Sequence, residues 1–194
     1  MTTSFNDIAL SKHLKLNAIK CVFIILIFLF HSAYSFADNS KLNLLSVPPG
    51  FEISIFAENI SSPRQITEGS EYIFTASGSA GQIFALSDSN SDYVVDSNRI
   101  IAKDLFDSRG VTYKDGDLYF AEVNKIWVIR DVEDWLNSNK EGMPEKELIT
   151  DNLPSNPWHG WKWIKFGPDN KLYVPVGAPC NVCLEELEDD SRFA

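Results

Sequence analysis

Cysteine is scarce, with three in 194 residues, which excludes a disulfide-dense miniprotein. Basic charge is short as well. Lys and Arg number 17 against 27 Asp and Glu, for a formal net charge of -10. That balance disfavours nucleic acid as a partner, because binding a phosphate backbone needs a basic surface. Long apolar runs are missing. The longest unbroken one, Cys21 to Phe30, has 10 residues, against about 20 for a membrane-spanning helix. Extended helical periodicity is also missing. What is present is 44% hydrophobic and 12% aromatic, too apolar for a disordered acidic tail. The length suits one domain, or two small ones, with a real core.

The first 37 residues read as a secretory signal. Lys12, Lys15 and Lys20 precede the apolar run, and Ser35-Phe36-Ala37 fits the small-x-small rule for cleavage after Ala37. The alternative is an uncleaved anchor starting near Leu14. Cleavage leaves 38–194, with a charge of -12, no stable membrane span, and His159 as the remaining histidine. The localisation expected is periplasmic or secreted.

Residues 38–194 read as all-β with internal repetition, a partial β-propeller. Glu71–Ala76, Asp117–Glu122 and Lys171–Val176 each follow a turn and carry an aromatic within a hydrophobic strand. Tyr72 to Leu118 is 46 positions and Leu118 to Leu172 is 54. A period of roughly 40–50 residues built of short strands is that of propeller blades, so about three blades are expected. A β-sandwich is the competing architecture. Asp115-Gly116 suits a tight hairpin with positive φ angles, and Gly167-Pro168-Asp169-Asn170 suits a turn preset by proline. One short helix is expected from Asp131, as its cap, to Asn137, ended by Glu141 to Pro144.

Three of five tryptophans fall within Trp158-His159-Gly160-Trp161-Lys162-Trp163. Pro157 lets a strand begin just after it, which would set His159 at a strand start facing the propeller's channel. An imidazole there can accept a proton from a bound hydroxyl, and flat aromatic walls suit a sugar ring or planar cofactor. The competing reading is a structural histidine, with the indoles as core between blades. Cys180 and Cys183 bracket a C-x-x-C loop that can close a small disulfide in an oxidising compartment; free or metal-bound thiols and a redox pair are the alternatives. Asp88-Ser89-Asn90-Ser91-Asp92 resembles a calcium loop but carries Tyr93 where glycine belongs, so it reads as a polar Asx turn. Glu185 to Asp190 reads as a solvated charge run.

The segments His159-Gly160-Trp161-Lys162-Trp163-Ile164, Phe166-Gly167-Pro168-Asp169 and Lys171 to Cys183 together resemble the glucose/sorbosone dehydrogenase family, in its L-sorbosone branch. Val47 to Ile53 and Gly116 to Asn124 add to the likeness. The resemblance implies a six-bladed propeller that holds pyrroloquinoline quinone (PQQ) with calcium. It implies oxidation of a sugar or sugar aldehyde, with electrons passing to an acceptor, outside the cytoplasm. It makes His159 the catalytic base and places Arg109 near a cofactor-lining position. An acidic residue supports the histidine in the glucose-oxidising branch, and Gly177-Ala178-Pro179 stands there instead. Family members are roughly twice as long, so the resemblance makes the chain an N-terminal half and puts most cofactor and calcium ligands elsewhere. A non-catalytic propeller binding carbohydrate or protein is the second reading.

Overall fold

The computed structural model describes residues 42, 44–138 and 140–178. The expected signal segment 1–37 lies outside the described residues. The chain divides into two compact units, 1–53 and 54–194. In the first, Pro48-Pro49-Gly50-Phe51 forms a tight turn closed by the Phe51 N–H on the Pro48 carbonyl at 3.1 Å, with Gly50 at φ 88. Proline followed by a residue of positive φ is the signature of a type II turn.

The second unit is built of antiparallel sheets. β1 (Ile66–Glu68), β2 (Ile73–Ala76), β3 (Ile83–Ser87) and β4 (Ser97–Ala102) form one four-stranded meander. β5 (Gly110–Lys114), β6 (Asp117–Ala121), β7 (Ile126–Ile129) and β8 (Glu147–Thr150) form a second. β9 (Lys165–Phe166) pairs with β10 (Leu172–Tyr173) as the start of a third. The three repeated sequence segments fall on β2, β6 and β10, the second strand of each sheet. First strands neighbour first strands, β1 beside β5 and β5 beside β9. Successive meanders stacked through their first strands are propeller blades. Two are complete among the described residues and the third is represented by two strands.

Strand periodicity explains the stacking. Alternate residues of a strand point to opposite faces. On β6, Leu118 and Phe120 are fully buried and share a core with Phe74, Ile83 and Ile101 of the first blade. Between them, Tyr119 and Ala121 face the other way and pack with Ile164 and Leu172 of the third. Tyr119 meets the Phe166 ring edge-on at 4.9 Å. The middle blade is therefore apolar on both faces, which a solvated two-sided sheet would not tolerate. Each fully buried phenylalanine contributes about 2–3 kcal/mol.

A single side chain joins all three blades. Gln65, just before β1, accepts the Val111 N–H of β5 and the Ile164 N–H at 3.2 Å each, and donates to the Ile164 carbonyl at 2.8 Å. Gln65→Leu would leave those three backbone groups unsatisfied, at about 1–3 kcal/mol for each group left fully buried. The expected outcome is a urea midpoint lowered by about 3 kcal/mol of stability; an unchanged midpoint would show that water replaces the amide without loss.

The turns follow the sequence reading. Asp115 (φ 52) and Gly116 (φ 94) form the β5–β6 hairpin with positive φ at both positions. Asn170 donates to the Gly167 carbonyl at 3.1 Å and takes φ 63, closing the β9–β10 turn. The helix, α1 (Val132–Asn137), corrects two expectations. Asp131 occupies the cap position at φ 44, but its side chain makes no capping bond. A capping side chain reaches the first-turn N–H groups from extended backbone, and left-handed Asp131 does not present it there. Instead Asp117 Oδ1 accepts the Asp131 N–H at 3.1 Å, and Glu133 and Asp134 supply first-turn negative charge. The helix stops at Asn137, before 141–144, because Ser138 turns its N–H onto Asp134 and Trp135 carbonyls and its hydroxyl onto Trp135.

Candidate functional site

Residues 156–160 form a tight turn leading into β9. The Asn156 side chain accepts the Trp158 N–H at 2.8 Å, and the Gly160 N–H returns to the Pro157 carbonyl at 3.0 Å. His159 sits in this turn at φ 54. It is therefore not on the strand itself, as the sequence suggested, since ladder pairing begins at Lys165. Pro157 and the left-handed residue delay the strand. The turn still precedes the third blade's first strand, as Gln65 precedes β1 and Arg109 precedes β5.

The imidazole is half-buried. Trp158 stacks on it, with ring centroids 4.8 Å apart and planes 28° apart. Its Nδ1 lies 3.1 Å from the Ala178 carbonyl oxygen. Gly177 permits that approach, because a Cβ there would lie 2.0 Å from the His159 carbonyl oxygen.

Beyond the histidine the chain alternates. Trp161 and Trp163 are 51% and 57% exposed, as is Trp158 at 57%, whereas Lys162 between them and Ile164 after them are buried. The indoles are thus surface groups of the described structure, against the core reading. Lys162 went unrecognised from sequence. Its ammonium donates to the Gly160 carbonyl, and burial pushes its pKa below the usual lysine range. β5 approaches this segment closely, since a Cβ at Gly110 would lie 2.3 Å from the Lys162 carbonyl oxygen.

Arg109 is brought to the same strand starts. Its Nε donates to Asp107 at 2.8 Å, and its guanidinium lies 4.0 Å from the Trp161 ring centroid. A mostly buried guanidinium laid on an indole face is held there by cation–π attraction. Arg109 and Trp161 thus set a cation against flat apolar surface, and Trp163 exposes a second indole. His159 adds a proton acceptor.

Cys180, Cys183 and the 185–190 charge run lie outside the described residues. Asp88 to Asp92 forms an Asx-type loop, in which Asp88 accepts the Asp92 and Tyr93 N–H groups and Asn90 accepts the Asp92 N–H. Among the described residues no group of three or more His, Cys, Asp or Glu could hold a metal ion. No helix among them is long and apolar enough to cross a membrane.

Comparison with known proteins agrees on the fold. The PQQ domain of a pyranose dehydrogenase from Coprinopsis cinerea, in its holo form, superposes with a TM-score of 0.53 at 11% identity, covering 64% of this chain and 30% of that one. Iodide and calcium structures of a Trichoderma reesei carbohydrate-active enzyme of family AA12 give 0.46 each, at 15% and 16% identity, and 60% of this chain is covered. No family model matches the sequence. An uncharacterised protein of Borreliella burgdorferi is 34% identical over 161 residues, covering 78% of this chain and 40% of that protein. The chain thus spans well under half the length of that relative. In class it is a nearly all-β chain of propeller blades, similar in fold to part of that pyranose dehydrogenase domain.

Proposed function

We propose that the chain forms the N-terminal blades of a PQQ-dependent dehydrogenase acting on a sugar or sugar aldehyde, of the glucose or L-sorbosone type, exported to the periplasm or beyond. The observation that carries this reading is His159, held in the turn that precedes a blade's first strand by Trp158 and the Ala178 carbonyl. In this role His159 takes the proton from the substrate hydroxyl. Bound PQQ would supply the acceptor for the hydride. Arg109 would face the anionic edge of the cofactor, and Trp161 and Trp163 would exclude water from the flat faces of cofactor and sugar. Calcium, and the remaining cofactor ligands, would come from blades beyond the described residues, as would the site for the electron acceptor.

The test is titration of the full-length product to which these blades belong with PQQ and calcium, followed by dye reduction with glucose and L-sorbosone. Quinone uptake with sugar-dependent reduction is expected. The three exposed indoles favour one second reading, a non-catalytic propeller that binds carbohydrate. Sugar binding without quinone uptake would establish that reading and overturn the first.

A further inference from the structure

Among the described residues His159 is oriented by the main chain. Among the described residues no carboxylate lies within ion-pair distance of its ring, and its Nδ1 partner is a backbone carbonyl. A carbonyl oxygen only accepts hydrogen bonds. The proton of the neutral imidazole therefore belongs on Nδ1, and the lone pair on Nε2. We propose that the Ala178 carbonyl, positioned by Gly177, is the group that fixes this tautomer and leaves Nε2 as the proton-accepting atom. The proposal rests on the reading of His159 as the base.

The geometry explains why this can be done by backbone alone. His159 in left-handed conformation turns its carbonyl toward Gly177, where a Cβ would be 2.0 Å from that oxygen and 2.9 Å from the His159 Cβ. Only glycine allows the two segments to meet this closely. The next residue's carbonyl then falls in line with Nδ1, while Trp158 restricts ring rotation from one face. On reaction the substrate O–H bond breaks, an Nε2–H bond forms, and the imidazolium keeps its Nδ1–H bond to Ala178. A carboxylate would stabilise that cation by charge as well; a carbonyl supplies mainly direction.

Nitrogen-15 NMR of the uniformly labelled protein, above the pH of imidazole titration, reads the tautomer directly. It needs neither cofactor nor substrate, so its outcome is separate from that of the functional assay. His159→Asn assigns the signal; should it not fold, the chain cut after Ala37 assigns it directly, because His159 is the one histidine of 38–194. The expected result is a protonated Nδ1 and an unprotonated Nε2. Gly177→Ala should abolish this bias and lower the quinone-dependent rate by up to about 100-fold, the scale for a misplaced reacting group. A protonated Nε2 in the unmodified protein, or an unchanged tautomer in Gly177→Ala, would overturn the proposal.

Discussion

His159→Asn should lower PQQ-dependent sugar oxidation by about 10²–10⁴-fold, the contribution typical of a positioned general base. Converted at 1.36 kcal/mol per decade, that is about 3–5 kcal/mol of barrier. Asparagine is the substitution of choice because His159 sits at φ 54, a conformation that asparagine adopts far more readily than alanine. The turn should then persist, and the unfolding midpoint should stay close to that of the unmodified protein. The comparison to make is of rates at saturating substrate with PQQ and calcium present. An asparagine variant that is fully folded and fully active would remove His159 from the chemistry.

The second large effect is on stability. Glu133 of α1 reaches from the second blade to the β1–β2 turn of the first. Its Oε1 accepts the N–H groups of Ser70, Glu71 and Tyr72 at 2.8, 2.9 and 3.1 Å, and its Oε2 accepts the Tyr113 hydroxyl at 2.8 Å. Glu133→Ala takes the shared acceptor from four donors at a part-buried turn where Ser70 and Glu71 can reach water, a loss of about 1–3 kcal/mol. Burial alone would raise the pKa of this carboxyl. The Glu71 N–H, the Tyr113 hydroxyl and the Tyr72 and Ser70 bonds outweigh burial and hold it below the usual glutamate range. A depressed folded-state pKa gives stability that is present above the unfolded value, about 4.3, and is lost as pH falls through the folded one. Urea midpoints measured from pH 7 downward should therefore fall more steeply below about pH 4.3 for the unmodified protein than for Glu133→Gln. Parallel curves would mean that Glu133 stays charged, or uncharged, in both states.

The sequence exposed the blades because they depend on local signals. Asp115-Gly116 and Pro168-Asp169-Asn170 set backbone angles by themselves, and alternation in 117–121 sets the two buried faces. It exposed less where long-range contact decides. Asp131 carries the composition of a helix cap, yet Asp117 fixes its backbone from another strand and turns its side chain away. Gln65 has no signature, since its value lies in the Val111 and Ile164 backbone groups far along the chain. Lys162 was legible in principle: if Trp161 and Trp163 point outward, the residue between them points inward. Gly177-Ala178 reads as the loss of an acidic partner. The structure puts a main-chain oxygen in its place, which no side-chain motif can report.

The Gln65 amide also bears on how the unit opens. Its oxygen and nitrogen serve Val111 and Ile164 on two other sheets at once, so no blade can fray at its inner end without loosening a neighbour. Local openings normally occur in separate cooperative patches. Loss of the Gln65 amide should therefore speed amide exchange at Val111 and at Ile164, five residues beyond His159, as well as in the first sheet.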